Sequence, residues 1–247
     1  MLRWFRTDLH IHTCLSPCGD LSMVPSVIVK EAVRKDLDAI GICDHNAMEN
    51  VPAVRKAAEQ KDVAVLGGME VTSAEEVHVL ALFDDLEKLL ELQKEVYDNL
   101  HGVSDERAFG QQVIVNENDE VVDVNERLLI GATELTLETI VETIRSLSGL
   151  AIASHVDRQS FGIIGQLGFI PEGLPLDALE LSGRISPDKA SCVLPQGSGF
   201  PLVTFSDAHW PEDIGKRCTS FLLHQVRAEE IRNALLGRGG RRVSFEE

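Results

Sequence analysis

Arg6-Thr7-Asp8-Leu9-His10-Ile11-His12-Thr13 places two histidines one residue apart inside an apolar run. Successive side chains in a strand alternate faces. His10 and His12 are therefore expected to point one way, and Leu9 and Ile11 the other. Two imidazoles converging on one point suit a metal ion. An isolated pair of this kind more often lies on a solvated strand face, so the reading depends on whether the rest of the chain brings further ligands.

It does so at a regular beat. Strands are expected at 5–12, 39–45, 63–70, 78–83, 150–155, 178–182 and 201–209, with a further one at 219–226. Helices are expected at 25–37, with an apolar stripe of Val24, Ile28, Ala32 and Val33, and at 48–60 and 228–236. Residues 84–149 break the pattern. They read as an elaboration within a single domain spanning 1–247: a charged helix, a hairpin around Asn116-Glu117-Asn118-Asp119, and a helix capped by Thr136. The stretch from Gly237 onward reads as a tail with a basic patch of Arg238, Arg241 and Arg242.

Apolar strands alternating with helices argue for a parallel α/β core, in which ligands collect at the carboxyl ends of strands. The expected strands end on His10/His12, Asp44-His45, Glu70, His155 and Asp207/His209, while His78 opens another. Six of the eight histidines fall at these positions; His101 and His224 are expected to have surface or core roles. An unpaired polar group in an apolar setting costs roughly 2–7 kcal/mol, so this many without a ligand would be hard to accommodate. With Asp20, the set exceeds what one ion takes, which implies two or three divalent ions, with Glu70 as a bridge. Nitrogen and oxygen donors favour Zn, Mn or Fe. Asp8 and Asp44 are expected to orient imidazoles from behind.

The composition narrows the partners. A net charge of −17, from 23 basic and 40 acidic residues, argues against long duplex nucleic acid. It leaves a small phosphorylated substrate or a short oligonucleotide open. No 18-residue apolar run and no signal-peptide pattern are present, so a cytoplasmic protein without a membrane partner is expected. The five cysteines, Cys14, Cys18, Cys43, Cys192 and Cys218, lack paired zinc-finger spacing. They read as ordinary reduced thiols, although the spacing of Cys14 and Cys18 leaves a zinc or redox role conceivable.

Together, Asp8-Leu9-His10-Ile11-His12-Thr13, Cys43-Asp44-His45-Asn46, Gly68-Met69-Glu70-Val71-Thr72, Ser154-His155 and Ser206-Asp207-Ala208-His209 resemble the PHP (polymerase and histidinol phosphatase) family. The resemblance implies a distorted seven-stranded, TIM-like β/α barrel with a trinuclear metal centre at its C-terminal rim. It implies one ion held by His10, His12, Glu70 and Asp207, a second by Glu70, His78 and His155, and a third by Asp20, His45 and His209. Many relatives carry Ser-Asp-Gly shortly after the paired histidines, where this chain has Ser16-Pro17-Cys18-Gly19-Asp20.

The expected chemistry is phosphoester hydrolysis by a metal-bridging hydroxide, since ions bound as a clamp activate water and stabilise in-line displacement at phosphorus. Arg158 and Arg184 are candidates to grip the phosphate. Asp157, His209 and Asp207 are candidates to protonate the leaving group. Three readings stay open: a hydrolase of small phosphorylated metabolites or nucleotides, a nuclease trimming short single strands, and a non-catalytic metal-binding module.

Overall fold

The computed structural model describes residues 1–185, 194 and 199–245. Cys192 lies outside them. The main sheet has nine strands, two more than the barrel expected. In chain order they are β1 (Arg3–Ile11), β2 (Ala39–Ile42), β3 (Ala64–Thr72), β4 (His78–Phe83), β7 (Leu150–Ala153), β8 (Ala178–Leu181), β9 (Leu202–Thr204), β10 (Thr219–Leu223) and β11 (Arg242–Phe245). Their spatial order is β11-β10-β1-β2-β3-β4-β7-β8-β9. The extra strands are at one end: β10 pairs antiparallel with Arg3–Thr7 of β1, and β11 pairs antiparallel with β10. Residues 242–245 are thus a strand and not a tail.

The barrel closes because β1 changes neighbours along its length. Past Thr7, β10 gives way to the segment after β9. Ala208 bridges Ile11 in parallel, with His12 N donating to Ala208 O at 2.9 Å. The sheet is not wholly parallel. β4 runs antiparallel to both β3 and β7, which brings its first residue, His78, to the same rim as the last residues of its neighbours.

Inward positions change character from the floor of the barrel to its rim. Phe5, Leu9, Leu66, Leu80, Leu82, Leu150, Ile152, Val203 and Phe205 form a buried interior cluster that extends to helix α7 (Ala228–Leu235). Two residues further toward the rim the same strands carry His78, Ser154 and Asp207, and β3, after Gly68, carries Glu70 four residues beyond Leu66. The outer layer packs Ile40, Ile42, Met69, Val79 and Leu179 against α1 (Pro25–Arg34), α2 (Val51–Ala58), α3 (Leu86–Asp98) and α5 (Leu137–Ser146). On α1 the buried stripe is Pro25, Ile28, Val29 and Ala32, while Val33 is 45% exposed, so the face is rotated from the one expected.

Strand β1 also departs from regular alternation. Its register with β2 shifts between Asp8 and Ile11, and Leu9 joins the interior cluster while Ile11 packs with the outer one. The two apolar residues therefore do not share a face, because the irregularity inserts a change of phase between them, at His10. Gly41 accommodates it: a Cβ there would lie 2.4 Å from Leu9 O. Gly41→Ala should destabilise the protein by about 1–3 kcal/mol through overpacking, read as a lowered denaturation midpoint. An unchanged midpoint would show that the contact relaxes freely.

Between β4 and β7 the chain forms α3, a short helix α4 (Glu106–Phe109), the hairpin of β5 (Val113–Val115) with β6 (Val121–Val124), and α5. Thr136 caps α5, its Oγ1 accepting from Thr139 N at 3.2 Å. The hairpin is tied to the rim: Asn50 accepts from Val115 N at 2.9 Å and donates to Val113 O at 3.1 Å. No helix among the described residues is long and apolar enough to cross a membrane.

Candidate metal centre

Glu70, 1% exposed at the rim end of β3, is the hub. Its Oε1 lies 3.0 Å from His78 Nδ1, 3.1 Å from His155 Nε2 and 3.5 Å from His10 Nε2. Its Oε2 lies 3.2 Å from His45 Nδ1 and 3.5 Å from His12 Nε2. Asp207, on the segment that closes the barrel, brings Oδ1 to 3.1 Å from His12 Nε2 and 3.4 Å from His10 Nε2. The two opening histidines face each other with Nε2 atoms 3.2 Å apart. Three groups of donors lie close enough to hold an ion: His10, His12, Glu70 and Asp207; His45, Glu70 and His78; and His12, His45 and His209.

This donor set fits divalent cations. His45 Nδ1, His78 Nδ1, His155 Nδ1 and Asp207 Oδ1 are buried without a hydrogen-bond partner, and buried polar atoms rarely stay unsatisfied. The electrostatics favour positive charge at the same place. Burial alone would lower the pKa of His10, yet Glu180, Glu70 and Asp207 raise it well above its ordinary value. Burial would raise Glu70, yet His78 and His10 hold it well below the usual carboxylate range, and His10 and His12 do the same to Asp207. His12, buried and facing His209, is instead lowered to about 4.

Outer partners fix the imidazoles. Glu180, buried on β8 and not singled out in the sequence, lies 3.0 Å from His10 Nδ1 and accepts from His155 N at 3.3 Å. Asp44 acts through a relay: it accepts from Ser16 Oγ at 2.6 Å, and that hydroxyl lies 2.9 Å from His12 Nδ1. Asp8 differs from its expected role. It touches no imidazole but accepts from Ser206 N at 3.0 Å and Gly215 N at 2.8 Å, anchoring the segment that carries Asp207. Burial pushes both Asp8 and Asp44 up to about 6. Backbone strain also concentrates here, with left-handed φ values of 30° at His155 and 51° at Asp207.

The loop after β7 supplies two more groups. Arg158 Nη2 lies 2.7 Å from Asp207 Oδ2, and Phe161 stacks on His78 with ring centroids 4.5 Å apart. Asp157 accepts from Ser182 N at 2.6 Å and from the Ser182 hydroxyl. Two candidates are not brought into the cluster. Arg184 is exposed past the end of β8, and the Asp20 carboxylate accepts from Ser22 N at 2.9 Å and from its hydroxyl. In its neighbourhood Cys18, an exposed residue overall, turns its Sγ to 3.2 Å from His45 Nε2; partial desolvation of the sulfur there, with Glu70 and Asp207 nearby, pushes its thiol up to about 12. His101 and His224 are exposed, away from the site.

Removing the Glu180 charge as Glu180→Gln should weaken divalent-metal affinity by about tenfold to a hundredfold, the usual cost of losing a ligand's outer partner. Metal titration with a competing chelator reads this directly. Unchanged affinity would reduce Glu180 to a packing role.

Comparison with solved structures finds the same fold in several proteins. The lesion-specific endonuclease EndoQ of Pyrococcus furiosus superposes with a TM-score of 0.74 at 22% identity over 98% of this chain. Endonuclease Q bound to a 27-mer duplex with an abasic lesion gives 0.71 at 23% identity over 97% of the chain. The chain spans 58% of the length of each of these two structures. A protein of Bifidobacterium adolescentis described as a metal-dependent phosphoesterase gives 0.57 at 16% identity, covering 94% of this chain and 96% of its own. Comparison with curated proteins by sequence gives no match. The family model of the PHP domain matches residues 8–170, more than half of the chain and most of the rim just described; the protein belongs to the PHP domain family.

Proposed function

We propose that the protein hydrolyses a phosphoester of a small phosphorylated metabolite or nucleotide, using two or three divalent ions of the Zn, Mn or Fe class. The observation that carries this reading is Arg158 set beside the donor cluster. One guanidinium nitrogen is held by Asp207, while its buried Nε has no hydrogen-bond partner and is free to take a phosphate oxygen. When bound, the ions supply a nucleophilic hydroxide at neutral pH and offset charge on the non-bridging oxygens. His10, His12, Glu70, His78, His155 and Asp207 would hold them, with Glu180 and the Asp44–Ser16 pair setting ring orientation. Asp157 is engaged by Ser182 and Asp207 is kept ionised by its neighbours, so neither is set to donate a proton to the leaving group.

A second reading, phosphodiester cleavage in DNA, draws support from the higher TM-scores of the endonuclease structures, 0.74 and 0.71 against 0.57. The net charge of −17 weighs against a long duplex. The test is a side-by-side assay of metal-loaded protein on an aryl phosphate, phosphomonoesters, cyclic dinucleotides, short oligonucleotides and an abasic duplex. Turnover of the small esters supports the first reading, and exclusive turnover of DNA the second. No turnover of any overturns both. Arg158→Ala should cut kcat/KM on the preferred substrate by about tenfold to a hundredfold, from roughly 1.5–3 kcal/mol lost with a charged hydrogen bond.

A further inference from the structure

We propose that the Cys18 thiolate, and not the Asp20 carboxylate, completes the outermost metal pocket together with His45 and the neighbouring His12 and His209. This rests on the metal-centre reading above but concerns a ligand that reading does not contain. Three observations converge. His12, His45 and His209 offer donor atoms within 4.8 Å of one another. His45 is only 4% exposed; its Nδ1 lies 3.2 Å from Glu70 Oε2, and its other ring nitrogen, Nε2, is the one turned toward Cys18. The Cys18 Sγ to His45 Nε2 separation is 3.2 Å. A tetrahedral zinc ion with bonds near 2.3 Å to sulfur and near 2.0 Å to nitrogen holds those two atoms roughly 3.5 Å apart. The Cys18–His45 contact is therefore close to a shared-ion geometry, and a small inward shift of the sulfur would bring it onto the ion that His12, His45 and His209 can share.

The loop is built to keep the thiol there. Gly19 N donates to Ser16 O at 2.9 Å, Asp20 N donates to His209 O at 2.9 Å, and a Cβ on Gly19 would lie 2.4 Å from Thr13 O. These contacts fix the chain on both sides of Cys18, while the Asp20 carboxylate turns back to Ser22. The other described thiols are engaged elsewhere: Cys14 faces Val113 O, Cys43 faces Leu9 O and Cys218 faces Gly215 O. Ion binding releases the thiol proton to solvent and leaves a sulfur–metal bond. A sulfur donor also biases this pocket toward zinc or cobalt over manganese and magnesium.

Cobalt(II) alone is the probe, because a thiolate ligand gives a sulfur-to-cobalt charge-transfer band in the near ultraviolet. Loaded wild-type protein should show the band, and Cys18→Ser should lose it together with about one ion per chain from a pocket of this kind. Cys18→Asp should regain the ion without the band, and Asp20→Asn should keep both. Bound metal should slow alkylation of Cys18. A wild type that binds cobalt without the band, or a Cys18→Ser variant that keeps it, overturns the thiolate ligand alone. A protein that binds no divalent ion overturns the metal-centre reading as well.

Discussion

Glu70→Ala should lose most of its bound metal and at least about a hundredfold to a thousandfold of its hydrolytic activity, the scale of effect seen when one charge-stabilising group is removed from an active site. The reason is the geometry around this carboxylate. Five imidazoles, from His10, His12, His45, His78 and His155, approach its two oxygens within 3.5 Å. Without it, two of the three donor groups lose their shared member. The imidazoles are then left to converge with only Asp207 and Glu180 to balance a bound cation. Glu70→Gln keeps the volume and removes the charge, so it separates electrostatics from packing. Elemental analysis and aryl phosphate turnover on the same preparations read both consequences. A Glu70→Ala variant with full metal content and activity would overturn the assignment of Glu70 as the bridge.

Stripping divalent ions should lower the thermal midpoint of the wild type by roughly 8–16 °C. A ligand present at a thousand times its dissociation constant stabilises the folded state by about 4 kcal/mol. For a chain of this size each kcal/mol moves the midpoint by about 2–4 °C. The donors are spread across β1, the loop after β2, β3, β4, the loop after β7 and the segment after β9, so ions held by them would tie together most of the barrel rim. Thermal scans with chelator and with restored Zn, Mn or Fe check this, and the ion giving the largest recovery identifies the best-fitting metal. Identical midpoints with and without ions would mean that the rim holds no structural charge of metal. The same scans on Glu70→Ala should show little response to added ions.

The kinds of side chain gathered at the rim are legible in the sequence. Histidines and carboxylates at the ends of apolar strands are legible because strand periodicity and the cost of burying polar groups act locally. His10, His12, His45, Glu70, His78, His155 and Asp207 were all nameable on that basis, as was the Thr136 cap. Tertiary structure alone decided which of these groups meet and what stands behind them. Glu180 reads in sequence as one polar residue in a buried strand, and only the register of β8 beside β7 sets it against His10. The rim position of His78 follows from β4 running antiparallel, a choice that no run of apolar residues encodes. Whether Cys18 or Asp20 faces His45 was equally closed to spacing. Both lie in one loop, and in the fold it is the Cys18 sulfur that comes within 3.2 Å of His45 Nε2 while the Asp20 carboxylate turns to Ser22. Composition and periodicity are properties of neighbours along the chain, whereas a metal site is made of neighbours in space, and these are set by long-range pairing.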